Sequence, residues 1–445
     1  MNRIVITLLA TIFASAGALR GQTAPPPFVA LGDSLSEGVQ SADANGATQP
    51  QTYLARFAAQ MGVAFPLPLI KTSPLGVVGS TTGRSRWNPN LLVSNLAVSG
   101  ASTGSILSDA AGQPVDDETD LVEQPRTGTQ VQIAQQLQSP FTICWIGAND
   151  VLSSLLSFNH LDASQITPLP VFQANFQQIV SSLTGWNNKV VFANLPDVTN
   201  VGFAFSPHDL QLFLGNSYGL PNGSYTTLVA MLLIRTGLVP PTILQNPDWV
   251  LDPGEIQTIR TAVNSFNQAI AQDAASVNMP AVDIHGLFNY LVQHPVTIGN
   301  VTLLPRFNGG IFSLDGVHPA DTAHAIIANA FIREVNTFWN MNIPPVPQSQ
   351  LLTILHDDPF VDFNGNLVVR GRPYHGLLET LGPSLGISGD QQDAKVAPGI
   401  HPEMGPKFMR AYFAATGQDP NRAWTTEDAV EAMRQVFGTD RWRGR

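Results

Sequence analysis

Two short motifs contain the residue types that nucleophilic catalysis needs. Residues 32–35 read Gly-Asp-Ser-Leu and directly follow the apolar run 28–31. A serine hydroxyl is a weak nucleophile, which an adjacent base must activate. Far along the chain, an Asp-Gly-Val-His-Pro motif places Asp315 three residues before His318. This spacing lets the carboxylate fix the tautomer of the imidazole, whose other nitrogen can then take the Ser34 proton.

Two further motifs could stabilise negative charge on a reacting carbonyl group. Residues 147–150 read Gly-Ala-Asn-Asp, and the side-chain amide of Asn149 is a suitable donor to a developing oxyanion. Residues 95–100 read Asn-Leu-Ala-Val-Ser-Gly, and Gly100 would let a backbone N–H approach a substrate closely. Each motif alone is a weak signal, because turns are commonly rich in Gly and Asn.

Three other patterns imitate functional motifs. Ser217 lies in a Gly-x-Ser-x-Gly pattern, but a Leu-Pro-Asn-Gly turn follows it in place of the helix that a nucleophile elbow needs. His285 follows Asp283 and is a rival base, although its neighbours indicate an ordinary turn. Residues 362–366 begin like a calcium loop but lack the Gly and Glu that such a loop requires at its sixth and twelfth positions. We therefore expect neither a metal nor an organic cofactor.

The elements that must position these motifs alternate between short apolar runs and helical patterns. Apolar runs typical of buried strands cover residues 28–31, 91–98, 141–146, 190–195 and 281–284. Helical patterns cover about 51–61, 129–138, 171–183, 253–277 and 319–339. The alternation favours a parallel sheet covered on both faces. Ligands gather beyond the carboxyl ends of the strands in such open sheets, which is where these motifs fall.

Taken together and in this order, the four motifs resemble those of the SGNH/GDSL hydrolase family, the GDSL-type lipases and esterases. The resemblance covers roughly residues 28–340. It implies a flavodoxin-like three-layer α/β/α fold with a central parallel sheet, the SGNH hydrolase fold. It also implies a catalytic triad and an oxyanion hole. The implied triad is Ser34, Asp315 and His318, and the implied oxyanion donors are the backbone N–H groups of Ser34 and Gly100 and the side chain of Asn149.

The resemblance leads us to expect a secreted serine esterase or lipase that hydrolyses carboxylic esters through an acyl-enzyme on Ser34. An apolar excursion at 198–252 favours lipid or aryl esters as small-molecule substrates. Its candidate pocket residues could equally pack the excursion onto the body; they are Phe203, Phe205, Phe213 and Trp249. A carbohydrate O-acetyl esterase is the nearest alternative. A secreted binding module with a vestigial hydrolase body is an alternative from another class.

Composition and the N-terminus indicate an exported protein. The net charge is -11 and no basic run is present, so nothing favours nucleic acid or an anionic membrane surface as a partner. Residues 1–24 are typical of a signal peptide, with Arg3 before an apolar stretch and small residues at 16–18. We expect no stable membrane span after its cleavage, and an extracellular or periplasmic location. The single cysteine, Cys144, lies in an apolar run and is expected to be buried.

The chain divides into three parts by composition and sequence pattern. After the signal peptide, we expect a hydrolase domain over residues 25–342. The Pro-rich stretch 343–347 predicts a boundary before an appended, mainly helical C-terminal region, residues 343–445, of unknown role. Within that region, the sequence after Thr425 is typical of a capped amphipathic helix.

Overall fold

The computed structural model describes residues 25–71, 84–112, 114–115, 117–156, 165–371 and 397–437. The predicted signal peptide lies outside the described residues. The described strands are β1 (Val29–Gly32), β2 (Ala110–Ala111), β3 (Gly128–Thr129), β4 (Phe141–Trp145), β5 (Lys189–Ala193), β6 (Ala204–Phe205), β7 (Thr226–Thr227), β8 (Ala281–Val282), β9 (Val296–Ile298) and β10 (Val301–Leu303). The described α-helices are α1 (Ser34–Glu37), α2 (Tyr53–Met61), α3 (Ser105–Ser108), α4 (Glu118–Glu123), α5 (Gln130–Leu137), α6 (Asn149–Leu156), α7 (Leu169–Leu183), α8 (Pro207–Leu214), α9 (Leu228–Arg235), α10 (Pro253–Ser276), α11 (Ile284–Gln293), α12 (Asp321–Trp339), α13 (Gln348–Asp357), α14 (Met404–Ala415) and α15 (Thr426–Phe437).

A parallel sheet forms the centre of the fold. Its strands lie in the order β1-β4-β5-β8, and each pairs in parallel with its neighbour. Residues 94–98 run parallel to the outer edge of β1, where Leu96 N–H donates to the Ala30 carbonyl oxygen at 2.8 Å. The five predicted strands therefore lie in the order second, first, third, fourth, fifth, which is the flavodoxin-like arrangement. This confirms the predicted fold class.

Helices cover both faces of the sheet. Alternate residues of β1 point to opposite faces: Val29 and Leu31 belong to one apolar core, and Ala30 belongs to the other. The first core lies under α5, α7 and α10, and the second lies under α2, α11 and α12. Cys144 in β4 is buried, as predicted. Among the described helices, none combines the length and the apolar character needed to cross a bilayer.

The excursion at 198–252 and the last described residues pack together. All eight residues of α9 are buried, so this helix needs neighbours on every side. Helix α15 packs against α9, and α14 packs against α15. The buried guanidinium of Arg235, at the end of α9, donates to the Ala397 carbonyl oxygen at 2.9 Å. Residues distant in sequence thus complete the environment of α9.

The segment after residue 342 also contacts the body. Helix α13 packs against α12, and Val346 N–H donates to the Asn329 side chain at 2.7 Å. Asp358, directly after α13, accepts hydrogen bonds from the first turn of α12. The boundary at residue 343 remains a prediction, and residues 346–358 lie against the helix that follows His318.

Candidate active site

The turn after β1 carries the candidate nucleophile. Asp33 caps α1 by accepting the Leu35 N–H at 3.0 Å, and Ser34 is the first residue of the helix. Gly32 allows the close approach of β1 to β4, because a Cβ at this position would lie 2.5 Å from the Trp145 carbonyl oxygen. Ser34 is 6% exposed at the carboxyl end of the sheet. The structure therefore places this serine where open parallel sheets bind ligands.

Asp315 and His318 form a buried hydrogen-bonded pair. The His318 Nδ1 atom lies 2.8 Å from Asp315 Oδ2. The backbone N–H groups of Val317 and His318 both donate to Asp315 Oδ1 at 2.9 Å. Burial alone would raise the pKa of the Asp315 carboxyl, but the charge of His318 and these hydrogen bonds hold that pKa below its usual value. Since Nδ1 faces the carboxylate, Nε2 is the nitrogen that would exchange a proton with a nucleophile or substrate.

Long-range hydrogen bonds join the segment after Ser34 to this loop. The Ala42 N–H donates to Asp315 Oδ2 at 2.8 Å. The Gln40 side-chain amide donates to the Pro319 carbonyl oxygen at 3.2 Å. These four residues are buried, so water does not compete for the bonds. Buried hydrogen bonds therefore hold the nucleophile segment and the Asp-His loop together.

Charges from three motifs act on one another at this edge of the sheet. Burial raises the pKa of Asp33 to about 7, while the Leu35 N–H and the charge of His318 lower it and the charge of Asp150 raises it further. Each of these charged groups comes from a different motif of the sequence. Their coupling shows that the turn of Ser34, the loop of His318 and the start of α6 share one neighbourhood.

The two remaining candidate oxyanion residues are held together. Gly100 has φ +81° in a turn that the Ala101 N–H closes on the Val98 carbonyl oxygen at 3.1 Å. Such a turn requires a positive φ at its third residue, which favours Gly there. The Asn149 side-chain amide donates to the Ala101 carbonyl oxygen at 2.9 Å. An amide carries two N–H donors, so this contact leaves the second for a ligand.

Asp150 also holds the segment after Gly100 against the start of α6. Sequence reasoning did not assign this role to it. Its two carboxylate oxygens accept the Thr103 N–H at 2.8 Å and the Thr103 hydroxyl at 2.7 Å. Burial raises the pKa of Asp150, and the hydrogen bonds from Thr103 oppose that effect. Asp150 directly follows Asn149 in the sequence, and this position was the signal that could have identified its role.

His285 and Ser217, the alternative base and nucleophile, lie in the first turn of a helix and in a loop turn, respectively. Asp283 accepts the Gly286 N–H at 2.8 Å as the cap of α11, and His285 Nδ1 lies 3.1 Å from the Leu195 carbonyl oxygen. Ser217 follows α8 and lies in a turn closed by the Leu220 N–H, without the strand before it and helix after it that a nucleophile elbow needs. Across the described ranges, no three His, Cys, Asp or Glu side chains are grouped to hold a metal ion.

The aromatic residues of the excursion pack into the core. Phe203, Phe205 and Phe213 are at most 1% exposed. The rings of Phe205 and Phe213 lie 5.8 Å and 5.5 Å from the ring of Phe307. Trp249 is partly buried against the same core. The packing interpretation therefore holds for the three phenylalanines, which do not form an open acyl pocket.

The excursion supports the Asp-His loop directly. The Phe203 N–H donates to the Gly316 carbonyl oxygen at 2.8 Å. Gly316 has φ +71°, and a Cβ there would lie 2.6 Å from the Phe203 nitrogen. Only glycine fits this close backbone contact between the triad candidates Asp315 and His318.

A cavity of about 520 Å³ opens between the start of α7 and the first half of α10. It adjoins the Asn149–Asp150 turn, because Thr167 in its wall donates its N–H to the Asp150 carbonyl oxygen at 2.8 Å. Its accessible wall is mainly apolar, with hydroxyl and amide groups among the apolar surface; the lining side chains include Leu169, Phe266, Gln257, Thr258, Thr261 and Ser265.

Comparisons with known proteins place this arrangement in a family. The chain is 28% identical over 113 residues to an acetylxylan esterase of Geobacillus stearothermophilus, a match that covers 25% of this chain and 46% of that protein. The chain thus spans about half the length of this curated relative. A solved structure of an acetylxylan esterase from the same organism is 16% identical, with a TM-score of 0.35 over 70% of this chain and 94% of that one. An α/β hydrolase from the metagenome of Lake Arreo, Spain, is 14% identical, with a TM-score of 0.34 over 71% of this chain and 97% of that one. The family of GDSL-like lipases and acylhydrolases matches residues 28–331, which is more than half of the chain and includes all four motifs, and the chain therefore belongs to that family.

Proposed function

We propose that the protein is a serine-dependent carboxylic ester hydrolase with Ser34 as nucleophile. The observation that carries this proposal is the Asp315–His318 pair, braced by the Ala42 N–H from the segment that follows Ser34. The Ser34 oxygen attacks the ester carbonyl carbon, and its proton passes to His318 Nε2. The Asp315 carboxylate stabilises the imidazolium that forms.

The rest of the reaction uses the same groups. The Ser34 and Gly100 backbone N–H groups and the Asn149 amide donate to the tetrahedral oxyanion. The carbon–oxygen bond to the alcohol then breaks, and the alcohol leaves with the proton from His318. Water gives a proton to His318 and attacks the acyl-enzyme. Release of the acid returns that proton to Ser34, so that the cycle needs neither a metal nor an organic cofactor.

Short acyl groups on a carbohydrate are the second, more specific proposal. The phenylalanines that could have lined a long acyl pocket are in the core instead. The cavity beside the start of α6 is lined mainly by apolar surface, with four hydroxyl groups and one amide among it, and these polar groups suit the hydroxyls of a sugar. The relative of this chain that is named for acetylxylan points to the same class of ester. We therefore favour acetyl esters of saccharides over lipid esters.

Steady-state kinetics test both proposals. The purified protein and Ser34→Ala are compared on p-nitrophenyl acetate, butyrate, octanoate and palmitate, and on acetylated xylo-oligosaccharides. We expect Ser34→Ala to abolish turnover without loss of the folded state, and the acetate to be the best aryl ester. Substantial activity in Ser34→Ala contradicts the serine mechanism. Preference for octanoate or palmitate contradicts the acetyl proposal, and inactivity on every ester favours a binding module.

A covalent label identifies the nucleophile directly. A fluorophosphonate probe reacts with a serine that a neighbouring base activates, and peptide mass spectrometry locates the adduct. We expect the label on Ser34, with Ser217→Ala as the matched control that labels normally. A label on Ser217 contradicts the assignment.

We further propose that the protein is exported, with residues 1–24 as a cleavable signal peptide. The support is the order of positive residue, apolar stretch and small residues at the N-terminus. Expression of the full chain in a Gram-negative host, followed by N-terminal sequencing of the exported protein, tests this. Retention of Met1 on a cytoplasmic protein contradicts it.

A further inference from the structure

Glu37 joins the two backbone segments that carry the proposed oxyanion donors. It is the last residue of α1, three residues after Ser34, and its side chain is fully buried. Its Oε2 atom accepts the Ser99 N–H at 2.7 Å and also accepts the Ser99 hydroxyl. Ser99 directly precedes Gly100 in the chain. One carboxyl group thus spans the gap between the turn of Ser34 and the turn of Gly100.

A second contact ties the same segments further from the site. The Asn95 side-chain amide donates to the Ser36 carbonyl oxygen at 2.8 Å. This bond holds the start of the 95–99 segment against α1. Glu37 acts at the other end, beside Gly100, where the position of the oxyanion donor is decided.

Glu37 belongs to a buried group of charges. The Arg84 guanidinium hydrogen-bonds to the Glu118 carboxylate, lies 3.5 Å from the Asp43 carboxylate, and donates to the Ala44 carbonyl oxygen at 3.1 Å. Burial raises the pKa of Glu37 well above its usual value, and the charge of Glu118 raises it further against the opposing charge of Arg84. In either protonation state, the carboxyl group offers an acceptor oxygen to Ser99.

We propose that Glu37 is a positioning residue that sets the separation of the Ser34 and Gly100 backbone N–H groups by holding Ser99. This inference rests on the proposed serine mechanism. Oxyanion donors act only when they lie about 2.7–3.1 Å from the place that the developing oxyanion will occupy. Without the Glu37 contact, the turn of Gly100 loses its tie to α1 on the side of the substrate.

The test compares Glu37→Ala with Glu37→Gln, since glutamine keeps a side chain of the same length with an acceptor oxygen. On p-nitrophenyl acetate, we expect Glu37→Ala to lower kcat by about 10- to 100-fold and to change KM by less than about threefold. Glu37→Gln should restore kcat to within about threefold of the unmodified protein. Glu123→Ala, which changes an equally buried carboxyl on α4, is the matched control and should leave kcat unchanged.

A boronic acid supplies a second readout, because it forms a tetrahedral adduct with an activated serine. The inhibition constant of phenylboronic acid should rise in Glu37→Ala by the same factor by which kcat falls. Ser99→Ala removes only the hydroxyl contact, so it tests the bridge if Glu37→Ala does not fold; we expect a loss of kcat of about threefold to tenfold with unchanged KM.

Three results contradict the inference while leaving the ester hydrolysis intact. They are a folded Glu37→Ala with normal kcat, an effect on KM alone, and a Glu37→Gln variant as defective as Glu37→Ala. Ser34→Ala is assayed in parallel. Activity in that variant contradicts the proposed mechanism itself, and so the two failures are distinguishable.

Discussion

The Asp358 carboxylate accepts two hydrogen bonds from Thr322, one from its backbone N–H and one from its hydroxyl, each at 2.8 Å. Thr322 lies in the first turn of α12, four residues after His318. An acceptor here satisfies a helix N–H group that has no partner within the helix. A residue of the C-terminal segment therefore caps the helix that follows the candidate base.

We expect Asp358→Ala to lower the free energy of unfolding by about 1–3 kcal/mol, because the buried donors of Thr322 lose their acceptor. Thr322→Val removes only the hydroxyl contact and should cost less, about 1 kcal/mol. Urea denaturation of both variants measures the effects. Equal stability of Asp358→Ala and the unmodified protein would show that the contact does not support α12.

The Asp315 carboxylate should be needed for catalysis beyond its contribution to folding. In Asp315→Asn, the amide cannot hold the same imidazole tautomer or stabilise the imidazolium, so we expect kcat to fall by about 10³- to 10⁴-fold. The matched control is Asp283→Asn, which alters the carboxyl next to the rival His285. That control should keep its kcat within about twofold. The reverse result would move the base to His285.

Gly100 should matter for catalysis as well as for its backbone conformation. Gly100→Ala places a side chain at φ +81°, and Gly62→Ala does the same at φ +71°, at the end of α2, where a Cβ would meet nothing within 4 Å. Both variants should lose about 1–2 kcal/mol of stability from the left-handed conformation. Only Gly100→Ala should lose kcat on p-nitrophenyl acetate. Equal kcat in the two variants would remove Gly100 from the oxyanion hole.

His324 should make stability depend on pH. Burial lowers its pKa to about 3, with smaller effects from the charges of Arg56 and His318, and its Nδ1 accepts the Tyr53 N–H at 3.3 Å. The unfolded chain takes up this proton as the pH falls below about 6.5, whereas the folded protein does not. The stabilisation is therefore complete above pH 6.5 and is lost as the pH falls toward 3.

His324→Gln keeps an acceptor for Tyr53 but has no titrating group, and this isolates the effect. Between pH 7 and pH 4, the unmodified protein should lose about 3 kcal/mol more unfolding free energy than His324→Gln. Urea unfolding at several pH values measures the difference, and buried carboxyls such as Asp33 contribute equally to both proteins. Parallel pH profiles would mean that His324 titrates normally in the folded state.

The sequence predicted the elements and the four motifs because their signals are local. The helices predicted at 51–61, 129–138, 171–183, 253–277 and 319–339 appear within a few residues of those bounds. The run at 281–284 contributes only two strand residues, because Asp283 caps the helix that begins at Ile284. Periodicity does not show where such a cap ends a strand.

The hydrogen bonds that hold the site together could not be predicted, because each joins residues far apart in the chain. Ala42 and Asp315 are 273 positions apart, and Glu37 and Ser99 are 62 apart. Neither pair has a local pattern that distinguishes it from ordinary surface residues. The sequence also could not decide whether the phenylalanines of the excursion line a pocket or pack in the core, since an apolar ring suits both positions equally well.

The packing of α9 has a consequence for the order in which the chain can fold. This helix ends at Arg235, but α14 and α15, which complete its surroundings, begin at Met404 and Thr426. During synthesis, the part of its apolar surface that α15 covers therefore stays exposed until α15 has emerged. Contacts between such distant residues form slowly, because a long loop must close first. We expect this late closure to make the packing around α9 one of the last steps in the folding of the chain.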